Sequence, residues 1–361
     1  MKILNVSIHY LPVLGGQQTY IENLNRVFSS AGHHPFVLQK FSPGAQENVK
    51  MVRHIPKLNR FIDSWFLFNW QLRLYRQFIK KFDVVISHYP FHFPSLKWHQ
   101  RLIVLSHGLD WHIPPASRAD QYREKTARMV TSSNALVVAN DTHFLRHLGL
   151  DVEPASQFFE CVSPNCWFIP NCVDTERFYD KGNLREEIIL VPRTVRPERG
   201  IHLAIEAFPK VLKENPNFKM HIVGQYDEKS PYYTQCLQLI TKYRLEKKIK
   251  FFGGVQWEKL VDYYNSAMLT LVPTVEMEGT SLSALESMAC GTPTVSTNAG
   301  GLCDLPTIKG EIHAEDLADK IKSTLKTSKE VGEFQQKEVR KTFNLENWGN
   351  AWLKAIHSFR K

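Results

Sequence analysis

Short apolar runs alternate with helix-length amphipathic segments, and they do so twice along this chain. That alternation constrains the fold more than any other feature. In the first half the runs are Ile3–Ile8, Phe36–Gln39, Val84–Ser87, Leu102–Ser106 and Leu136–Ala139; in the second they are Ile188–Val191, Lys219–Val223, Ile249–Phe252, Leu269–Val272 and Thr294–Ser296. Runs that are apolar at consecutive positions belong to strands covered on both faces, as in a parallel sheet with helices above and below. Helical patterns lie between them: about Gln18 to Ser30, ending at Gly32, then His202–Glu214, Tyr232–Tyr243, Glu258–Ser266 and Ser281–Cys290. A final helix is expected over Phe343–Phe359, amphipathic through Trp348, Trp352, Ile356 and Phe359. The sequence therefore predicts an α/β protein of two doubly wound domains, residues 1–172 and 173–342. Asn165–Asp174 is the crossing linker, and the helix within 343–361 packs back on the first domain. A length of 361 residues fits two domains better than one.

Composition narrows the class. Hydrophobic residues make up 43% and charged residues 22%, enough apolar material for large cores and too much for disorder. The net charge of +9 favours anionic partners: phosphates, acidic lipid or nucleic acid. Six cysteines in this length are not a disulfide scaffold. No apolar run reaches the ~18 residues of a membrane span. The segment Met1–Ile8 reads as a first strand and not as a signal peptide. A soluble, cytoplasmic protein is the expectation.

Open α/β sheets bind ligands at the carboxyl ends of their strands, so the chemistry should sit in the loops that follow them. The strongest such signal is Glu278-Gly-Thr-Ser-Leu-Ser-Ala-Leu-Glu286, two carboxylates across a loop-to-helix junction. With Thr280 as N-cap and the helix starting at Ser281, Glu278 lies in the loop and Glu286 inside the helix. Free N–H groups at the helix start, with Gly279 allowing close approach, suit a diphosphate. Each carboxylate can accept hydroxyl hydrogen bonds from one sugar of a sugar nucleotide. The pair Gly15-Gly16 follows the first strand and can bring backbone close to a phosphate or an acceptor. It is not a Gly-x-Gly-x-x-Gly, which counts against a dinucleotide dehydrogenase. His107, Asp110, Asn140 and Thr142 follow other strands and are further candidates, as are Gly254 and Val255 of the Gly253-Gly254-Val255 loop. No Asp-x-Asp pair is present to hold a metal on a diphosphate, and Cys161, Cys166 and Cys172 lack zinc-site spacing.

The segment Glu278–Gly301, continuing through Gly291, Pro293 and the Gly300-Gly301 pair, resembles the E-x7-E signature of the family 4 retaining glycosyltransferases, which have the GT-B fold. Pro12-Val-Leu-Gly-Gly-Gln resembles that family's N-terminal glycine loop, Gly32-His33 its "GH" helix end, Ile169–Asp174 its "PNGVD" linker, and Arg193–Gly200 its Arg-x5-Lys-Gly segment. The resemblance implies two Rossmann-like domains facing each other across a cleft, with the acceptor on the first and the nucleotide-sugar donor on the second. It implies that Glu278 contacts the transferred sugar and Glu286 the ribose. Gly279, Thr280, Ser281 and Leu282 would offer N–H groups, and Arg193 and Arg199 would clamp the diphosphate. His107 would align donor and acceptor, Asp110 and Asn140 would contact the acceptor, and Gly15, Gly16, Gly254 and Val255 would line the donor site. No metal and no other cofactor is implied, and a UDP-linked donor is expected. The chain departs from the family pattern at Pro192 for glycine, Arg199 for lysine and Cys172 for glycine. The arginines have a chemical reason beyond the resemblance: a departing nucleoside diphosphate gains negative charge that fixed cations stabilise.

Between Lys50 and Lys81 lie eight basic residues (Lys50, Arg53, Lys57, Arg60, Arg73, Arg76, Lys80 and Lys81) with Asp63 as the one acid and Phe61, Trp65, Phe66, Phe68, Trp70, Tyr75 and Phe78 interleaved. Such a stretch suits the acidic inner face of a membrane, where it would meet a lipid-linked acceptor. A core-packing helix with a solvated basic face is the alternative, and nucleic acid is not an expected partner. The activity the resemblance implies is sugar transfer with retention, with cell-surface polysaccharide, lipopolysaccharide or glycolipid synthesis as its setting. A sugar-nucleotide epimerase of the same fold and a non-catalytic membrane or nucleic-acid binding protein are the competing readings.

Overall fold

The computed structural model describes residues 1–13, 15–42, 46–53, 55, 62–108, 118–153, 157–276 and 278–359. Two compact units emerge, Met1–Pro170 with Glu346–Lys361, and Asn171–Leu345. The first holds strands β1 (Lys2–Val6), β2 (His34–Gln39), β3 (Val49–Met51), β4 (Val84–Ser87), β5 (Leu102–Ser106), β6 (Leu136–Ala139), β7 (Glu160–Ser163) and β8 (Cys166–Phe168). They form one sheet in the order β3-β2-β1-β4-β5-β6-β8-β7, parallel except for the β7–β8 hairpin. The second holds β9 (Glu186–Val191), β10 (Lys219–Val223), β11 (Ile249–Gly253), β12 (Ala267–Val272), β13 (Thr294–Thr297) and β14 (Ile308–Gly310) in the order β11-β10-β9-β12-β13-β14, all parallel. Both sheets thus share the 3-2-1-4-5-6 order, whose direction reverses between β1 and β4 and between β9 and β12. Ligands bind beyond the strand ends at such a switch point.

The central strands are apolar on consecutive residues because both faces are covered. Val84, Val85 and Ile86 have no exposed surface, and neither do Ile103 and Leu105 or Ile189 and Val191. The helices supply the cover. In Ile201–Glu214, the residues Ile201, Ala204, Ile205, Phe208 and Val211 fall on one helical stripe and are fully buried.

Where the structure departs from the sequence reading, the reasons are local. The N-cap position of the Leu282–Ala289 helix is Ser281, not Thr280, because Ser281 is the last residue with extended backbone. Glu258–Ser266 divides into a 3-10 turn at Trp257–Lys259 and a helix at Leu260–Ser266. The last helix is Leu345–His357, preceded by the Ser328–Thr342 helix that the sequence reading passed over. The chain crosses at Pro170 to Asn171, two residues before the expected boundary. There the Asn171 amide donates to the Thr280 carbonyl and Val173 N–H donates to the Phe343 carbonyl at 2.8 Å, tying this segment to the second unit.

The Leu345–His357 helix carries Trp348 and Trp352, both without exposed surface. Trp352 Nε1 donates to the Tyr20 hydroxyl at 2.9 Å, and Trp348 meets the Tyr20 ring edge-on at 5.0 Å. Arg101 Nη2 donates to the Ile356 carbonyl at 3.1 Å, occupying an acceptor at the helix end. Trp352→Ala is expected to cost about 3–5 kcal/mol through the cavity it opens. Chemical denaturation followed by a probe in the first unit checks this, and an unchanged midpoint would contradict the anchoring role.

Candidate active site

Arg193 leaves the carboxyl end of β9, and Arg199 closes the 3-10 turn Pro197–Arg199 that follows. The loop after β12 carries Thr274, Glu278, Thr280 and Ser281 and leads into the Leu282–Ala289 helix. All of these residues therefore gather at the switch point of the second sheet. Glu278 is 8% exposed and accepts from Arg193 Nη2 and from Arg199 Nη1 on the same oxygen, Oε2. Arg193, itself 8% exposed, also donates to Thr274 Oγ1 at 2.7 Å and to Ser283 Oγ at 3.3 Å. Its Nε is buried and has no hydrogen-bond partner among the described residues. Burial pushes the Glu278 carboxyl up, but the two guanidiniums outweigh that and hold its pKa below the ordinary value. The cluster is thus one carboxylate against two guanidiniums, a net positive centre.

Close backbone approach holds this centre. A Cβ on Gly300 would lie 2.3 Å from the Glu278 carbonyl oxygen, and Gly300 has φ +52°; Gly301 N–H donates to that same carbonyl at 2.6 Å. A Cβ on Gly224 would lie 2.1 Å from the Arg193 carbonyl oxygen. Glycine at both positions lets the loops bearing Glu278 and Arg193 close on their neighbours.

The Leu282–Ala289 helix starts with no side-chain cap. Ser281 Oγ pairs instead with Ser283 Oγ at 3.2 Å, and the first-turn N–H groups keep their positive partial charge for an anion. Glu286 lies in the body of that helix, 6% exposed. It accepts from Trp257 Nε1 at 3.1 Å and from the Tyr264 hydroxyl at 2.9 Å. The Arg177 guanidinium stacks on the Trp257 ring at 3.8 Å. Burial raises the Glu286 pKa to about 7, against the lowering effect of those two hydrogen bonds. The pKa values of two carboxylates eight residues apart are therefore pushed in opposite directions, Glu278 below the ordinary value and Glu286 up to about 7.

Other residues singled out from sequence lie in separate places. Gly254 is exposed and Val255 half-buried after β11. Gly15 is the N-cap of the Gly16–Ser30 helix, beyond β1 in the first unit. In that unit His107 follows β5 and is half-buried. Asn140 follows β6 and is 1% exposed; its amide group donates to the Ser106 carbonyl at 3.1 Å and to Asp141 Oδ2 at 2.8 Å. Thr142 is buried beside it. Asp110 lies outside the described residues, as do Lys57, Arg60 and Phe61. Sequence reasoning missed Trp257 and Tyr264, which reach Glu286 from a separate turn and helix. It also missed His88, although Ser87-His88 ends β4 as Ser106-His107 ends β5, a repeat visible in the sequence. No group of three or more His, Cys, Asp or Glu among the described residues is placed to hold a metal ion.

Comparison with known proteins shows the family. Residues 14–177 match the Glycosyltransferase Family 4 model and residues 174–340 match the model of glycosyl transferases group 1. Together they span 14–340, and the chain belongs to the family 4 glycosyltransferases, enzymes of GT-B fold. An uncharacterized glycosyltransferase of Methanocaldococcus jannaschii is 23% identical, covering 100% of this chain and 97% of its own. The lipopolysaccharide 1,2-N-acetylglucosaminetransferase of Salmonella typhimurium is 25% identical over 50% of this chain and 53% of its own. The solved structure of Anabaena HepE in complex with UDP-glucose aligns with a TM-score of 0.77 at 16% identity, covering 99% of this chain and 100% of that one.

The raised pKa of Glu286 has a measurable consequence. Below its ordinary value of 4.5 the carboxyl is neutral in both native and unfolded states. Between 4.5 and about 7 the native state binds the extra proton, so stability falls as pH rises, and the loss is complete above about 7. The loss is roughly 3 kcal/mol. The wild-type unfolding midpoint is expected to fall more steeply across that window than that of Glu286→Gln, which has no charge to bury. Parallel pH profiles would contradict the assignment.

Proposed function

We propose that this glycosyltransferase moves a sugar from a nucleoside-diphosphate donor to an acceptor hydroxyl with retention of configuration and without a metal. One observation carries the reading. Two guanidiniums converge on a buried carboxylate beside an uncapped helix start, with Arg193 Nε unpaired. An apoprotein gains little from burying a net positive charge with an unused donor, whereas a diphosphate neutralises both.

In this reading Arg193, Arg199 and the N–H groups of Gly279, Thr280, Ser281 and Leu282 hold the diphosphate. Glu278 turns from its arginines toward hydroxyls of the transferred sugar, and Glu286 accepts from the ribose. The bond from the sugar's anomeric carbon to the diphosphate oxygen breaks, and the acceptor oxygen bonds that carbon on the same face. The acceptor proton passes to the departing diphosphate, so the step balances without a separate protein base. The two guanidiniums stabilise the charge on the leaving oxygen, the role a metal would otherwise fill. UDP-glucose, the ligand of the Anabaena relative, is the first donor to test. The Salmonella relative supports a setting in cell-surface polysaccharide, lipopolysaccharide or glycolipid assembly.

The first unit would bring the acceptor, and its surface suits a lipid-linked one. Trp65, Phe66, Phe68 and Phe78 pack inward, against Tyr89, Phe91, His92 and Phe82. Trp70 and Leu74, four apart on the Ser64–Leu74 helix, are 48% and 64% exposed. Exposed Arg73, Arg76, Lys80 and Lys81 follow in sequence. Apolar side chains beside cations suit the inner face of a membrane bearing acidic lipid. No helix among the described residues is long and apolar enough to cross a membrane, so the contact would be peripheral.

Arg193→Ala and Glu278→Gln are each expected to lower kcat by about 100-fold or more, with the fold retained by circular dichroism and turnover of the wild type unaffected by EDTA. Near wild-type turnover in either variant would contradict the assignment. The wild type is expected to sediment with phosphatidylglycerol vesicles and not with phosphatidylcholine vesicles. The Trp70→Ser, Leu74→Ser double variant should stay in the supernatant; equal sedimentation of the variant would rule out this face.

A further inference from the structure

The ends of β1, β4 and β5 in the first unit hold a row of polar side chains, buried at its centre, that sugar transfer as described above does not use. His88 follows β4 and has no exposed surface; Asn5 lies in β1, also fully buried. His88 Nε2 lies 3.0 Å from Asn5 Oδ1, and Asn5 Nδ2 donates to Asn25 Oδ1 at 3.0 Å. Beyond Asn25, Tyr10 donates its proton to Glu22 Oε2. At the other end, His88 Nδ1 lies 3.3 Å from His107 Nε2. The two imidazoles are within 13° of coplanar with centroids 5.5 Å apart, the edge-on arrangement an N–H···N bond requires.

The direction of this row follows from what each group can do. A carboxylate offers only acceptors, so Tyr10 donates to Glu22. Asn5 gives its Nδ2 proton to Asn25 Oδ1. Asn5 Oδ1 must accept in turn, so His88 carries its proton on Nε2. A neutral imidazole with one N–H has an acceptor at its other nitrogen. His88 Nδ1 therefore accepts, and His107 donates from Nε2. Burial drives both imidazoles toward the neutral form.

We propose that this chain, running from Asn25 through Asn5 and His88, holds His107 as its Nε2–H tautomer, so that Nδ1 presents a lone pair and no proton to the ligand side. That tautomer suits the sugar-aligning part the family resemblance implies for His107: Nδ1 takes an O–H donor and does not take a phosphate or carboxylate oxygen, which would meet a lone pair. His88 is a positioning residue that acts through His107. The substrate half of the inference rests on the sugar-transfer reading; the tautomer half stands on the row of contacts alone.

The test is a long-range 1H–15N correlation spectrum of the full chain labelled at histidine nitrogens, with His107 assigned by its loss in His107→Gln. The expected result is a protonated Nε2 and an unprotonated Nδ1 on His107, without any ligand. A proton on Nδ1, or on both nitrogens, would overturn the proposal. In His88→Phe, which removes the acceptor, His107 is expected to become a tautomer mixture and kcat to fall by about ten-fold, one neutral hydrogen bond's worth, with the donor KM little changed. An unaltered tautomer in that variant would overturn the role of His88. Should the variant fail to fold, the wild-type spectrum alone decides. The Nε2–H tautomer with no transfer from any sugar nucleotide would overturn the sugar-transfer reading and the hydroxyl half of the inference, leaving the chain of contacts standing.

Discussion

A carboxylate buried between two guanidiniums organises the second unit. Burial alone disfavours the charge on Glu278 and pushes its pKa up; Arg193 and Arg199 reverse that. Removing either cation leaves a buried group poorly compensated, and such groups are costly. The surrounding backbone is shaped accordingly. Gly300 and Gly224 let the loops bearing Glu278 and Arg193 press against their neighbours, and Thr274 and Ser283 occupy Arg193 donors. The strand order places all of this where a doubly wound sheet opens to ligands.

The two units share strand order and differ in electrostatics. The switch point of the second carries charge and hydroxyls, suited to an anion. The corresponding ends of the first carry neutral, directional groups: two histidines, two asparagines and a tyrosine tied to one carboxylate. A neutral row of this kind fixes which atom donates and which accepts without attracting phosphate, and that is what recognition of hydroxyls demands.

Much of the fold was legible because parallel strands are buried on both faces. The apolar runs at Val84–Ser87, Leu102–Ser106, Leu136–Ala139 and Lys219–Val223 are strands with those same ends. Elements without a run of this kind were not legible. β3 has three residues, β7 carries exposed Glu160 and Cys161, and the Ser328–Thr342 helix is mostly charged and polar. At the candidate site, Glu278 with Glu286 and Arg193 with Arg199 could be named from sequence because each pair lies within one short segment. That Arg193 and Arg199 pair with Glu278, and that Trp257 and Tyr264 hold Glu286, follows from tertiary packing between distant segments. The Ser281 cap turned on one residue's backbone conformation, which the neighbouring Thr280 would serve equally well by composition.

In the proposed function Arg193 and Arg199 are the receptor for a nucleoside diphosphate. Calorimetric titration of UDP, GDP, ADP and uridine into the wild type and into Arg193→Ala, in the presence of EDTA, tests it most directly. The account predicts that one diphosphate binds without metal, that its nucleoside binds far more weakly, and that Arg193→Ala loses about 10–100-fold in affinity for the diphosphate, as removal of a charge-assisted pair should. Equal affinity for nucleoside and diphosphate, or an Arg193→Ala variant that binds the diphosphate as well as the wild type, would contradict it.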